Sequence, residues 1–313
     1  MPLPENEATN KTGKEVIETL KGAFHTPAGF RPAHARGILL KGTWTPTTEA
    51  ASLSKAYHFN NSVPVTARFS NSTGIPQIPD NDSNASPRGL AVRFNLPNTS
   101  DGKRAHTDIV AHSSKFFPVR TGELFLALLQ ALGSGKAGEF LGEHPSAAAF
   151  VGDPKPNPVS FGTLPYFGVS AFTFTSADGK DTNVRYRWVP DAGEQTLSDE
   201  DAKARDPAYL HNEIQTRVVD GGVSFKLLVQ VAETGDPTND ATVHWPEERK
   251  TVELGTLKLD GVVEDNDDAQ RKIIFDPIPR IDGVKETDDP LFDMRASIYL
   301  QSGKDRRANP YDK

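Results

Sequence analysis

The chain runs to 313 residues with 36% hydrophobic and 25% charged side chains, a globular balance that suits one large domain or two ordinary ones. It holds no cysteine, which removes disulfides, thiolate ligands, iron–sulfur clusters and cysteine nucleophiles together, so any metal must be held by His, carboxylate, Tyr or Met. The net charge is −7 with Lys and Arg dispersed; there is no basic stripe for nucleic acid and no apolar run near the roughly 20 residues that span a bilayer.

Residues 1–20 read as an N-terminal arm ahead of a single domain over residues 21–313. The first dozen residues are polar and loose, and Glu15 to Phe24 can form a short helix. The start has no apolar signal-peptide core, which predicts a cytoplasmic chain, or a periplasmic one if a leader has been removed. Strand signals follow at residues 35–42, 62–70, 88–95 and from Thr107. In the second of these, Val63, Val65, Ala67 and Phe69 alternate with smaller or polar neighbours. Leu124, Leu128, Leu129 and Leu132 then recur at helical spacing with Phe125 beside them, and an Ala-rich helix is expected from Lys136 to Phe150. Residues 151–166 read as loop. Strands return at 168–175 and 183–190 around an Asp178-Gly179 turn, then at 223–232 and 252–260. A last helix is expected from about Pro290 to Gly303. Four strands, helices, four strands and a final helix suggest an α+β chain built on an eight-stranded antiparallel β-barrel with helical insertions.

Chemistry enters at the last helix. Arg295 and Tyr299 are four apart and share a face, with Arg306 seven residues on. A phenol is a poor metal ligand unless a neighbouring cation favours the phenolate, and a guanidinium that keeps its proton does so. The plain alternative is an Arg–Tyr surface contact. At the first strand, His34 stands between Arg31 and Arg36, and a histidine is the natural acid–base at neutral pH. Its plain alternative is a structural histidine. Arg68 and Ser70 lie on the strand face opposite Phe69, an arginine suited to a carboxylate and a hydroxyl able to orient an imidazole.

Taken in order, six segments resemble the monofunctional catalase superfamily. They are RPAHARG from Arg31, TARFSNSTG from Thr66, SPRGLAVRFN from Ser86, DIVAHSS with FFPVRT from Asp108, LPYFGVSAFTF from Leu164, and RASIYLQSGKDRR from Arg295. The resemblance spans residues 20 to 308 and is to the short, catalase-related peroxidase branch. Only 14 residues follow Tyr299, so no C-terminal flavodoxin-like domain is expected, and Tyr311-Asp312-Lys313 does not read as a peroxisomal address.

The resemblance implies a catalase-type barrel with a C-terminal haem-ligating helix and haem b as cofactor. It makes Tyr299 the iron ligand, kept ionised by Arg295. His34 becomes the distal acid–base and Ser70 the hydroxyl that orients it. Arg31, Arg68 and Arg306 match the arginines that pair with the haem propionates. Phe125 matches an aromatic ring on the distal side, with plain core packing as its other reading. Where full-size relatives place a distal asparagine, this chain has His112. It is either a distal-pocket residue able to donate the same hydrogen bond, or a structural histidine at a strand end. The change weighs against fast dismutation of peroxide.

The expected activity is peroxidase: a peroxide reduced by an organic donor, with weak catalase turnover beside it at most, in a monomer or small homo-oligomer without nucleic-acid or membrane partners. Rearrangement of fatty-acid hydroperoxides, a non-enzymatic haem carrier and a lipocalin-like apolar-ligand barrel stand as alternatives. The segment 164–172 lacks the histidine of nicotinamide-binding relatives, so no such nucleotide is expected. His25, His58, His106, His144, His211 and His244 match no role and read mostly as surface residues. Glu264 to Asp268 reads as a solvated acidic loop rather than a calcium site.

Overall fold

A computed structural model describes residues 2–309, so Tyr311 to Lys313 lie outside the described residues. Eight antiparallel strands close a barrel: β1 (Gly37–Pro46), β2 (Val63–Ser70), β3 (Gly89–Leu96), β4 (Ala105–His112), β6 (Tyr166–Phe167), β8 (Asp181–Pro190), β10 (Val223–Val231) and β11 (Thr251–Val262). Their order round the wall is β1-β2-β3-β4-β6-β8-β10-β11 and back to β1. Period-2 alternation fills the interior: Val63, Val65, Ala67 and Phe69 of β2 are all buried, and Trp44, Phe94 and Trp188 meet edge to face at centroid separations of 5.4 and 6.2 Å.

The strand expected over residues 168–175 is shortened to its second half, and a short ladder segment starts earlier, at Tyr166 in the stretch read as loop. β6 ends at Phe167 and β7 (Phe172–Thr175) resumes the ladder on β8, where β12 (Val284–Glu286) joins it. Between them, Val169 and Ser170 leave the ladder and turn to a cavity outside the wall. β5 (Asn157–Pro158) and β9 (Thr196–Leu197) pair in a separate small ribbon.

Helices cover the outside. α1 (Glu7–Phe24) starts well before Glu15, so much of the stretch read as an arm is helical. Its first turn is capped by Asn6, whose side chain accepts from the N–H groups of Ala8 and Thr9, and Val16, Ile17 and Leu20 are buried. α2 (Thr48–Leu53) is short. After β4 come α3 (Gly122–Gly133), α4 (Ala137–Glu143) and α5 (Pro145–Gly152). The single Ala-rich helix expected from Lys136 is therefore two. Pro145 lacks an N–H and pushes His144 out of helical geometry (ψ 85°), so the helix breaks there. α6 (Asp199–Lys203) and α7 (Tyr209–Asp220) lie between β9 and β10.

The acidic stretch at 264–268 is a helix start rather than a loop. Asn266 opens α8 (Asn266–Lys272), and its side chain bonds both backbone groups of Leu39. α9 (Leu291–Ala308) closes the fold. Of the six histidines read as mostly surface, only His25 is exposed; His58 and His211 are buried. No helix among the described residues is long and apolar enough to cross a membrane.

Candidate active site

One cavity lies between the outer face of β2–β4 and α9, flanked by α1 and α3. It encloses about 1460 Å³ of space, open mouth included. Its lining contains all nine residues singled out in the sequence: Arg31, His34, Arg68, Ser70, His112, Phe125, Arg295, Tyr299 and Arg306.

Strand register assembles the wall. β2 and β3 pair Ser70 with Gly89, and β3 and β4 pair Gly89 with His112, so the three stand in one row across neighbouring strands. Arg68 belongs to the next cross-strand row on the same face, opposite Ala91. His34 reaches this row from outside the sheet. Its backbone is left-handed (φ 55°), an uncommon state for a side chain with a Cβ, and its Nδ1 lies 3.1 Å from Ser70 Oγ. Gly89 makes room for the ring: a Cβ there would stand 2.6 Å from Ser70 Oγ and 3.0 Å from His34 Nδ1. Gly89 was quoted within a motif but given no role. A glycine interrupting a strand pattern is the signal of close approach that could have found it.

The His34 imidazole is pulled down to about 4, first by burial and then by the Arg68 and Arg31 guanidiniums, against an opposing hydrogen bond to the Asn71 backbone. It is therefore neutral at pH 7, able to accept a proton. His112 is pulled down to about 3 by burial, then by His34 and Arg295. Its Nδ1 accepts the Ser114 backbone N–H at 3.1 Å. In a neutral ring the proton is then on Nε2, a donor that is buried with no partner among the described residues.

Across the cavity, α9 carries Arg295 and Tyr299 one turn apart, the guanidinium carbon 5.7 Å from the ring centroid. Arg31 and Arg306 both donate to the Ile273 carbonyl, at 3.1 and 2.9 Å, so their guanidiniums converge; Arg68 donates to Gln270 at 2.8 Å. Phe125 serves both of its readings, lining the cavity while packing on Phe117 at 5.3 Å.

The segment that receives these arginines was not foreseen. Ile274 and Phe275 line the cavity, and Arg93 holds them by bonding the Ile274 carbonyl while forking onto Asp108 at 2.8 and 2.7 Å. Val169, Ser170 and Met294 also line it and were missed, because neither small apolar side chains nor a lone serine announces a site in sequence.

α1 braces the Tyr299 helix. Ser297 Oγ donates to Asn10 at 2.9 Å, Gln301 donates to both, and Lys21 pairs with Asp305. No trio of His, Asp or Glu that could hold a bare metal ion occurs among the described residues. The donor set instead fits a large planar cofactor that brings its own metal: one tyrosine facing an apolar slot, and cations clustered at one side for acidic groups.

Comparison with known proteins gives the family and the fold. The family model described as Catalase matches residues 15–313. The chain is 34% identical over 311 residues to a catalase-related peroxidase of Mycolicibacterium paratuberculosis, covering 95% of this chain and 97% of that protein. It is 31% identical over 308 residues to a catalase-related peroxidase of Synechococcus elongatus, covering 94% and 88%. Catalase A from Saccharomyces cerevisiae superposes with a TM-score of 0.80 at 17% identity. That match covers 93% of this chain but only 64% of the yeast chain, and it bears on the fold alone. The chain belongs to the catalase family.

Proposed function

We propose that the chain is a haem b-dependent peroxidase that reduces hydrogen peroxide or organic hydroperoxides at the expense of an organic electron donor. The observation that carries this reading is the meeting of a neutral, hydroxyl-oriented imidazole and an Arg-supported tyrosine in the lining of one cavity. Two relatives that match nearly the whole chain bear the name catalase-related peroxidase.

In this reading Tyr299 Oη holds the iron, Arg295 supports it, and Arg31, Arg68 and Arg306 receive the propionates. Bound there, the haem supplies the oxidising equivalents that peroxide cleavage yields and the donor removes. His34 takes the proton from the near oxygen of the peroxide and returns it to the departing one. Such transfer contributes roughly 10²- to 10⁴-fold to rate. Ser70 at Nδ1 leaves Nε2 as the working nitrogen. What supports a part for His112 is its unpartnered Nε2–H, a donor where full-size relatives offer an amide. The apolar flank formed by Val110, Phe117, Phe125 and Leu291 suits the organic part of a hydroperoxide.

Turnover of hydrogen peroxide alone, hydrogen peroxide with a phenolic donor, and a lipid hydroperoxide, all on one haem-loaded sample, tests the proposal. Donor oxidation should far exceed oxygen release. Oxygen release outrunning donor oxidation would make the chain a catalase. A rearranged lipid product formed without donor would make it a hydroperoxide isomerase, and failure to consume any peroxide would leave a carrier.

A further inference from the structure

Four fully or nearly buried polar residues, none of them lining the cavity, are joined just behind the His34–Ser70 pair. Asn71 follows Ser70 at the end of β2, and Arg88 precedes Gly89 at the start of β3. Arg88 donates to Asn71 Oδ1 and to the Asp80 carbonyl, both at 2.6 Å. Asn71 Nδ2 in turn donates to Asp80 Oδ1 at 2.7 Å. Asp80 itself has no exposed surface.

The Asp80 carboxylate has further donors. It accepts the backbone N–H groups of Leu210 (2.8 Å) and His211 (3.1 Å), and His211 Nδ1 lies 2.9 Å away. Those amides belong to the first turn of α7, whose own N-cap residue Ala208 provides no side-chain cap. A helix start leaves such N–H groups without intrahelical partners and favours a negative charge. Asp80 thus caps α7 from a distant loop while holding the two strand ends that flank the imidazole. Arg36, 3.8 Å away, adds a second cation to Arg88 beside the buried charge.

We infer that Asp80 is a positioning residue for the distal pair: through Asn71 and Arg88 it fixes Ser70 and Gly89, the two sides of the seat in which the His34 ring stands. The inference rests on the reading of His34 as the proton-transfer group. A wall that is free to shift moves Ser70 Oγ off its 3.1 Å contact, and small misplacements of a reacting group are costly.

Three variants of the full haem-loaded chain test it. Asp80→Asn leaves one acceptor oxygen where two are used, so its NH₂ must face donors, either the N–H groups of α7 or Asn71 Nδ2. His211→Leu removes one bond to Asp80 while filling the space, and His211→Asn returns a donor near the Nδ1 position. Haem content by absorbance, peroxide consumption and a crystal structure are read for each. Asp80→Asn should keep its haem, lose about tenfold to a hundredfold in rate, and show the His34–Ser70 contact lengthened or broken. His211→Leu should lose rate in the same direction, and His211→Asn should regain most of it. A wild-type rate with the contact intact in Asp80→Asn overturns the inference, as does a His211→Asn variant as slow as His211→Leu. Should Asp80→Asn not fold, the His211 pair decides. Should the wild type bind haem yet not consume peroxide, the peroxidase reading fails, and the crystallographic contact still tests the hold of Asp80 on His34.

Discussion

Three neighbours leave His34 little freedom. Ser70 holds its Nδ1, Gly89 vacates the space beneath the ring, and the left-handed backbone aims it at the cavity. His34→Gln should slow peroxide consumption by roughly 10²- to 10⁴-fold while haem content stays constant; an unchanged rate would remove His34 from the chemistry. The pH profile carries a sign. The imidazole must be neutral to accept a proton, and burial with Arg68 and Arg31 holds it near 4. Activity should therefore be level from pH 7 downward and fall only as pH nears 4. A fall centred near 6.5, the ordinary histidine value, would show that neither burial nor the arginines act on the ring as the structure implies. Strand alternation made it legible that Arg68 and Ser70 share the face opposite Phe69, whereas His34 stood out only through the resemblance of its segment to the catalase superfamily. Gly89 and Asp80 were not legible. One contributes an absence of atoms, and the other acts only after the loop 71–80 folds against α7.

At the scale of elements, the site depends on strand ends in register and on helices that keep their distance. Gly89→Ala leaves every ladder hydrogen bond possible but drives a methyl group to within 2.6 Å of Ser70 Oγ. It should cut peroxide turnover by tenfold or more with little change in thermal midpoint, since a reacting group is displaced while the core is untouched. A variant as active as the parent would mean that the ring does not sit over this glycine during turnover. α1 was shortened in the sequence reading because only Gly13, Val16, Ile17 and Leu20 are buried along its 18 residues, too sparse a stripe to extend back to the Asn6 cap. Its true length matters: Asn10, near its start, is the residue that bonds Ser297 and Gln301 on the Tyr299 helix. α7 was missed altogether. Its first turn is capped by a residue some 130 positions upstream in sequence, which no local pattern records.

For the whole molecule, the barrel was legible because its long strands alternate cleanly. Its closure was harder to see, since it runs through β6, two residues long. The barrel interior also stores an acid sensitivity. His58 is buried against Phe59 and Phe94, and burial pulls its imidazole from 6.5 down to about 3. Between those values the unfolded chain binds a proton that the folded chain refuses, so stability falls as pH drops from about 6.5 toward 3, by up to about 1.4 kcal/mol per pH unit for this group. His58→Leu should flatten that slope in urea titrations at pH 7 and 5; an unaltered slope would mean that the site is hydrated or protonated in the fold. Whether α9 offers Tyr299 to a haem iron is read from the absorption spectrum of the chain loaded with haem b, set beside that of Tyr299→Phe. The parent should show a ferric Soret band, and the variant should lose its haem or shift that band. Identical spectra from the two would mean that Tyr299 does not bind the iron.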